Sequence, residues 1–281
     1  MATRAVSAFF YAALLLLLAA RGGGAWAALV GLLCLLGVRE ARALTRACGA
    51  DAQEGIVLAA ALAMPAALLI DGPRALVPVL VLTVLAAGLD QVSRPPERRR
   101  LTDWLATIAL PAAIALPLAH LVSLRRLTWP GGEAAGAAWL LAVLGLVWAN
   151  DTAAYLAGRA FGRRPFFPSI SPKKTWEGAI AGLLACGLLG AFLPRLVGGW
   201  GSLTGAGAGP LPAWQGLLVG LLVAATGSVG DLVESVMKRQ AGVKDSGSLI
   251  PGHGGILDRV DSLIWVAPVA YYLVAWLTGG A

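Results

Sequence analysis

Nine apolar segments, roughly 5–20, 25–38, 56–70, 75–89, 104–122, 136–158, 178–197, 213–230 and 262–278, occupy most of the chain and decide what it can fold into. Inside a bilayer every backbone N–H and C=O must be satisfied within the segment, so runs of this length predict membrane-spanning helices. The first four are short for full spans. With 58% hydrophobic and 13% charged residues, the 281-residue chain has too few charges to cover the surface of a soluble domain. The expected fold is therefore an all-α polytopic integral membrane protein with about nine transmembrane helices. Its 36 glycines and its alanine-rich runs suit close helix packing in lipid and favour a homodimer. No internal repeat, low-complexity tail or long linker divides the sequence. Residues 1–130 read as N-terminal scaffold helices and residues 131–281 as the region carrying polar chemistry, within one continuous membrane domain.

A net charge of +7 raises nucleic acid as a partner, but the placement of the charge argues against it. When the connections between segments alternate across the bilayer, 17 of the 22 Lys and Arg residues fall on one side. Arg21, Arg74, Arg125, Arg126 and Arg195 fall on the other. By the positive-inside rule the N-terminus and the basic side face the cytoplasm, which places the protein in the cell (inner) membrane with its polar loops inside. Segment 5–20 follows Arg4 and precedes Ala25-Trp26-Ala27, a pattern that imitates a signal-peptide cleavage site. Because an apolar segment resumes at once, it is read as an uncleaved helix. Cys34, Cys48 and Cys186 lie far apart without a CxxC and read as small apolar fillers.

Polar residues concentrate in two blocks. Asn150-Asp151-Thr152 interrupts an apolar helix one to two turns before its cytoplasmic end. A carboxylate at that depth costs a few kcal/mol, so Asp151 is expected to face the protein interior and hold something positive. Two readings stand, a cation site or a structural aspartate paired with Arg or capping a neighbouring helix. Tyr155 at i+4 and Gly158 at i+7 share its face. The following loop, Ser171-Pro172-Lys173-Lys174-Thr175-Trp176-Glu177-Gly178, runs into the next helix. Two lysines, a hydroxyl and a helix N-terminus make a corner suited to phosphates, although Lys-Lys at a membrane edge also serves topology.

The second block, 230–262, is denser. Asp231, Glu234 and Lys238 follow i, i+3, i+7 spacing on one helical face. Lys244-Asp245-Ser246-Gly247 and Pro251-Gly252-His253-Gly254-Gly255 form a glycine-rich loop able to bring amides against a phosphate. Asp258 and Asp261, three apart at the next helix start with Arg259 between them, offer oxygens to a hard cation such as Mg²⁺. His120 and His253 are the only histidines, so a zinc site is not expected, and His120 reads as a packed helix residue. GxxxxGK[ST] and GxGxxG phosphate loops and Ser/Cys-His triads are missing from the sequence.

The run Ser235-Val236-Met237-Lys238-Arg239, then Lys244-Asp245-Ser246-Gly247, then Pro251 to Asp261 resembles the signature of the phosphatidate cytidylyltransferases, or CDP-diacylglycerol synthases. The blocks Asn150–Tyr155 and Ser171–Gly178 resemble upstream blocks of the same family. The resemblance implies transfer of a cytidylyl group from CTP to phosphatidate with Mg²⁺, alone or with a second cation, for phospholipid biosynthesis. CTP, phosphatidate and the lipid bilayer are then the partners, and nucleic acid is not one. On this resemblance Asp231, Lys238, Arg239, Asp258, Arg259 and Asp261 carry catalysis. Asp231, Asp258, Asp261 and Asp151 hold metal. Lys173, Lys174, Thr175, Tyr155, Ser235, Lys244, Asp245, His253, Gly254 and Gly255 bind substrate. Two other classes compete: another CTP-dependent lipid transferase or polyprenol kinase, and a secondary transporter, which would usually repeat its polar pattern in two halves.

Overall fold

The computed structural model describes residues 2–128, 133–203, 212–249 and 254–279. The elements are α1 (Ala2–Arg21), α2 (Gly23–Ala47), α3 (Glu54–Asp71), α4 (Leu76–Ser93), α5 (Leu101–Leu110), α6 (Leu116–Arg125), α7 (Glu133–Phe161), β1 (Pro165–Phe167), β2 (Ser171–Thr175), α8 (Trp176–Leu203), α9 (Ala213–Gln240) and α10 (Leu257–Thr278). Each predicted apolar segment falls on a helix. Among the described residues six helical runs are long and apolar enough to cross a membrane: Glu54–Ser93, Leu101–Arg125, Ala135–Phe161, Trp176–Pro194, Ala213–Gln240 and Leu257–Thr278. The first of these contains both α3 and α4. The molecule is thus an integral membrane protein built of helices, with one feature the sequence reading lacks. Residues 165–175, expected as a loop, form a two-stranded antiparallel hairpin that pairs Pro165 with Thr175 and Phe167 with Ser171. Phe166 closes it by packing edge-on against Trp176, their ring centroids 4.4 Å apart.

The chain forms two compact units, residues 1–123 with 236–264 and residues 124–235 with 265–281. In the first, Trp26, Val30, Leu33, Cys34, Val38 and Ala41 recur at helical spacing and form the buried stripe of α2. Ala25–Ala27 is therefore part of a packed helix, and the Trp26 indole donates to the Leu121 carbonyl at 3.0 Å. Between α5 and α6, Pro111 cannot donate an amide and opens a π-turn, Pro111–Ala115. The Cys34 thiol donates to the Ala115 carbonyl at the end of this turn. The α2–α3 connection is fixed by polar contacts. Arg42 reaches the Ala52 carbonyl, Asp51 and Glu54, and the Asp51 amide donates to the buried Asp103 carboxylate at 2.9 Å.

The second unit uses its glycines as the sequence implies. A Cβ on Gly178 would lie 2.6 Å from the Ala154 carbonyl, and one on Gly220 would lie 2.0 Å from that of Cys186. Backbones of α7, α8 and α9 approach one another only because these side chains are absent. Cys34 and Cys186 are buried, whereas Cys48 is exposed, because it caps the C-terminus of α2 where Gly49 turns the chain.

Candidate active site

In the second unit, α7, the hairpin, α8 and α9 enclose a cavity of about 400 Å³. Six of the residues assigned a site role from the sequence line it together: Asp151, Tyr155, Lys173, Lys174, Thr175 and Asp231. Asp151 and Tyr155 arrive one helical turn apart on α7, as the i, i+4 spacing requires. Asn150, buried beneath them, donates through Nδ2 to Asp151 at 3.4 Å and reaches the Ser228 hydroxyl at 3.5 Å. Asp151 is exposed in the cavity wall rather than buried, and among the described residues it has no ion pair. It faces the cavity, where water or a ligand can reach it.

The lysines sit on β2 rather than in a loop, so the strand's pairing to β1 fixes their backbone. Lys174 Nζ forms a hydrogen-bonded ion pair with Asp231 Oδ2, and both side chains remain about one-third exposed. Thr175 caps α8, accepting from the Gly178 amide at 3.3 Å. Glu177 does not face this cavity. Its carboxylate accepts the amides of Arg163 and Arg164, holding the turn that enters the hairpin. Ser228 and Phe166 also line the cavity and were not singled out in the sequence, because an isolated serine and a loop phenylalanine carry no pattern.

Asp231 and Glu234, one turn apart on α9, bring carboxylate oxygens within 4.8 Å of one another. An oxygen-only donor pair of this kind can hold a divalent cation and fits Mg²⁺ better than a soft metal. His120 offers no competing ligand, since it is buried with Nδ1 2.8 Å from the Leu116 carbonyl. Ser235 is half-buried on the same helix.

The first unit gathers the rest of the signature. Lys238 Nζ donates to Asp258 Oδ1 at 2.5 Å, with the two side chains only 13% and 8% exposed. Asp258 Oδ2 accepts from the amides of Ser246 and Gly255, each at 2.8 Å, and lies 2.9 Å from the Ser246 hydroxyl. The described part of the glycine-rich loop therefore directs its Gly255 amide to a carboxylate of the chain and not outward to a phosphate. Gly254 takes φ +79°, and a Cβ there would lie 2.6 Å from Asp258 Oδ2. Asp261 is half-buried one turn further along α10, while Arg239, Lys244, Asp245 and Arg259 are exposed. His253 lies outside the described residues. Glu40 of α2, which no motif in the sequence marks, accepts from Ser246, Ile256 and Leu257.

The fold and the site together define a polytopic helical membrane protein with ammonium groups and carboxylates facing one cavity. A model of the cytidylyltransferase family matches residues 2–277, and the chain belongs to that family. It is 47% identical over 159 residues to phosphatidate cytidylyltransferase 5, chloroplastic, of Arabidopsis thaliana, covering 52% of this chain and 36% of that protein. It is 41% identical over 173 residues to a phosphatidate cytidylyltransferase of Brucella suis biovar 1, covering 60% of this chain and 58% of that protein. An uncharacterized Escherichia coli K12 protein, YnbB, is 45% identical over 141 residues, covering 50% and 44%. The chain thus spans between about a third and three-fifths of the length of these curated relatives.

Proposed function

We propose that the protein transfers a cytidylyl group from CTP to phosphatidate, forming CDP-diacylglycerol and releasing pyrophosphate. The observation that carries this reading is the cavity of the second unit, where Lys173, Lys174, Arg159, Asp151 and Asp231 face one space beside apolar residues such as Ala154, Phe166 and Ala179. Tyr155, Leu156 and Ile180 are exposed on α7 and α8 around it. A ligand with an anionic head and apolar tails matches both parts, the head against the lysines and the tails along lipid-facing helix.

In the proposed reaction an oxygen of the phosphatidate phosphate attacks the α-phosphorus of CTP, and the bond from that phosphorus to the oxygen bridging to the β-phosphate breaks. The acceptor is already ionised, so the chain needs no strong general base. Its task is to align two anions and neutralise their charge. Lys173 and Lys174 bind phosphate oxygens. Asp231 orients Lys174 through their ion pair. Asp231 and Glu234, with Asp151 nearby, would hold Mg²⁺, which when bound supplies charge neutralisation at phosphate oxygens. In the other unit, Lys238, Arg239 and Arg259 are assigned to phosphates and Asp261 to a cation. Asp258, whose two oxygens accept from protein donors, acts by holding Lys238 and the loop. Lys244, Asp245, Ser235, His253 and Gly254 are assigned to the nucleotide or pyrophosphate.

With the nine apolar segments taken as alternating crossings, the 17-to-5 division of basic residues supports a cytoplasmic N-terminus, a site facing the cytoplasm and residence in the inner membrane. Purified protein given CTP, Mg²⁺ and phosphatidate in mixed micelles should release one pyrophosphate per CTP consumed, and none without phosphatidate. Release of CDP in place of pyrophosphate would indicate a kinase and contradict the reading.

A further inference from the structure

Glu40 lies two turns before the end of α2, between Arg39 and Arg42, in a stretch whose charges otherwise read as topology. Its carboxylate is fully engaged. Oε1 accepts from the Ile256 amide at 2.9 Å, and Oε2 accepts from the Leu257 amide at 2.8 Å and the Ser246 hydroxyl at 2.9 Å. Ile256 and Leu257 stand at the start of α10, where amides have no partner within their own helix. An anionic acceptor there also meets the positive end of the helix dipole. The cap usually supplied by a neighbouring Ser or Asp is here delivered from another helix, 216 residues away in sequence.

The space for this carboxylate is reserved by glycines. A Cβ on Gly255 would fall 2.2 Å from Glu40 Oε2. A Cβ on Gly247 would fall 2.7 Å from Oε1, and its three nearest atoms all belong to Glu40. Two glycines of the signature are thus explained by a residue outside it. The Ser246 amide also donates to Asp258, and Asp258 accepts from Lys238. Glu40, Ser246, Asp258 and Lys238 therefore form one continuous hydrogen-bonded chain that ties the loop and the start of α10 to α2.

We propose that Glu40 is a positioning residue of the transfer reaction. By capping α10 and holding Ser246 it sets the orientation of Lys238, Asp258 and Asp261 without touching substrate. The inference rests on the transferase reading, so wild-type activity is measured first.

Glu40→Gln keeps the side-chain size but places an NH₂ group where an oxygen accepted an amide. In the detergent-purified full chain, peptides covering 254–260 should then exchange backbone hydrogen roughly tenfold faster or more, with peptides from α3 unchanged. The kcat should fall roughly 10- to 100-fold, as expected for a small misplacement of reacting groups, with KM for phosphatidate within about twofold of wild type. Gly247→Ala perturbs the same contact from the opposite side and should reproduce both effects. The Glu40→Ala/Gly247→Ala double variant should be no worse than Glu40→Ala alone, because the clash then has no carboxylate to meet. If Glu40→Gln does not fold, Gly247→Ala carries the test. Unchanged exchange at 254–260, or faster exchange with unchanged kcat, overturns the proposal. Wild-type protein without nucleotidyl transfer overturns it together with the transferase reading, whereas active wild-type protein with insensitive variants overturns the proposal alone.

Discussion

Lys174 and Asp258 illustrate how the same charge pairing serves different ends at different depths. Lys174 and Asp231 remain about one-third exposed, so their ion pair contributes little to stability and leaves the ammonium open to a ligand. Lys174→Ala should therefore raise KM for CTP or phosphatidate and lower kcat, roughly 10- to 100-fold in kcat/KM, with little change in Tm. Lys174→Arg should restore only part of the activity, since a planar fork does not reproduce a compact ammonium. Steady-state kinetics on both variants check this, and unchanged constants in Lys174→Ala would remove the lysine from the site. Asp258 and Lys238 are nearly buried, and removing one partner takes a buried charge-assisted contact from the other. Asp258→Asn should lower Tm markedly, by the equivalent of about 3 kcal/mol. Asp261→Asn should keep Tm and lose kcat by orders of magnitude, because neutralising a ligand removes charge stabilisation. Thermal melts read beside kcat separate the two aspartates, and near-normal activity of Asp261→Asn would take that residue out of the reaction. The sequence placed Asp258 and Asp261 in one role because their spacing is all it offers. Their difference comes from Ser246, Gly255 and Lys238, whose donors reach Asp258 only after the loop has folded.

Among the elements, helices were legible and the hairpin was not. Apolar length alone predicts each helix, because lipid leaves the backbone no other means of satisfying its hydrogen bonds. The hairpin has only three and five residues in its strands, contains Pro165 and Pro172, and depends on Phe166 meeting Trp176, a contact that no local pattern announces. Asp151, Tyr155 and Gly158 were legible as one face because helical spacing survives folding unchanged. Glu40 was not, since its partners lie more than two hundred residues away. The glycine contacts separate packing from mere composition. Gly220→Ala should destabilise the second unit by about 2 kcal/mol or more, since its Cβ would lie 2.0 Å from the Cys186 carbonyl. Gly145→Ala on α7 meets nothing within 4 Å and should be neutral or slightly stabilising. Melting temperatures of the two variants in one detergent test the contrast, and equal shifts would contradict it.

For the whole molecule, the hydropathy and charge of the sequence set the membrane setting. Residues 236–264 group with the N-terminal helices, so these helices do more than anchor the chain: α2 supplies Glu40 to the signature loop. The topology predicts that a cysteine replacing Arg163 stays unreactive toward an impermeant thiol reagent added outside intact cells, and reacts once the membrane is opened. Labelling from outside would reverse the proposed orientation. The central claim is nucleotidyl transfer to a lipid phosphate, and the most direct measurement is the fate of the CTP phosphorus atoms. Incubated with phosphatidate and Mg²⁺, the protein should move label from [α-³²P]CTP into a lipid product and none from [γ-³²P]CTP. Lipid labelled from the γ position, or lipid without label from either position, would contradict the account.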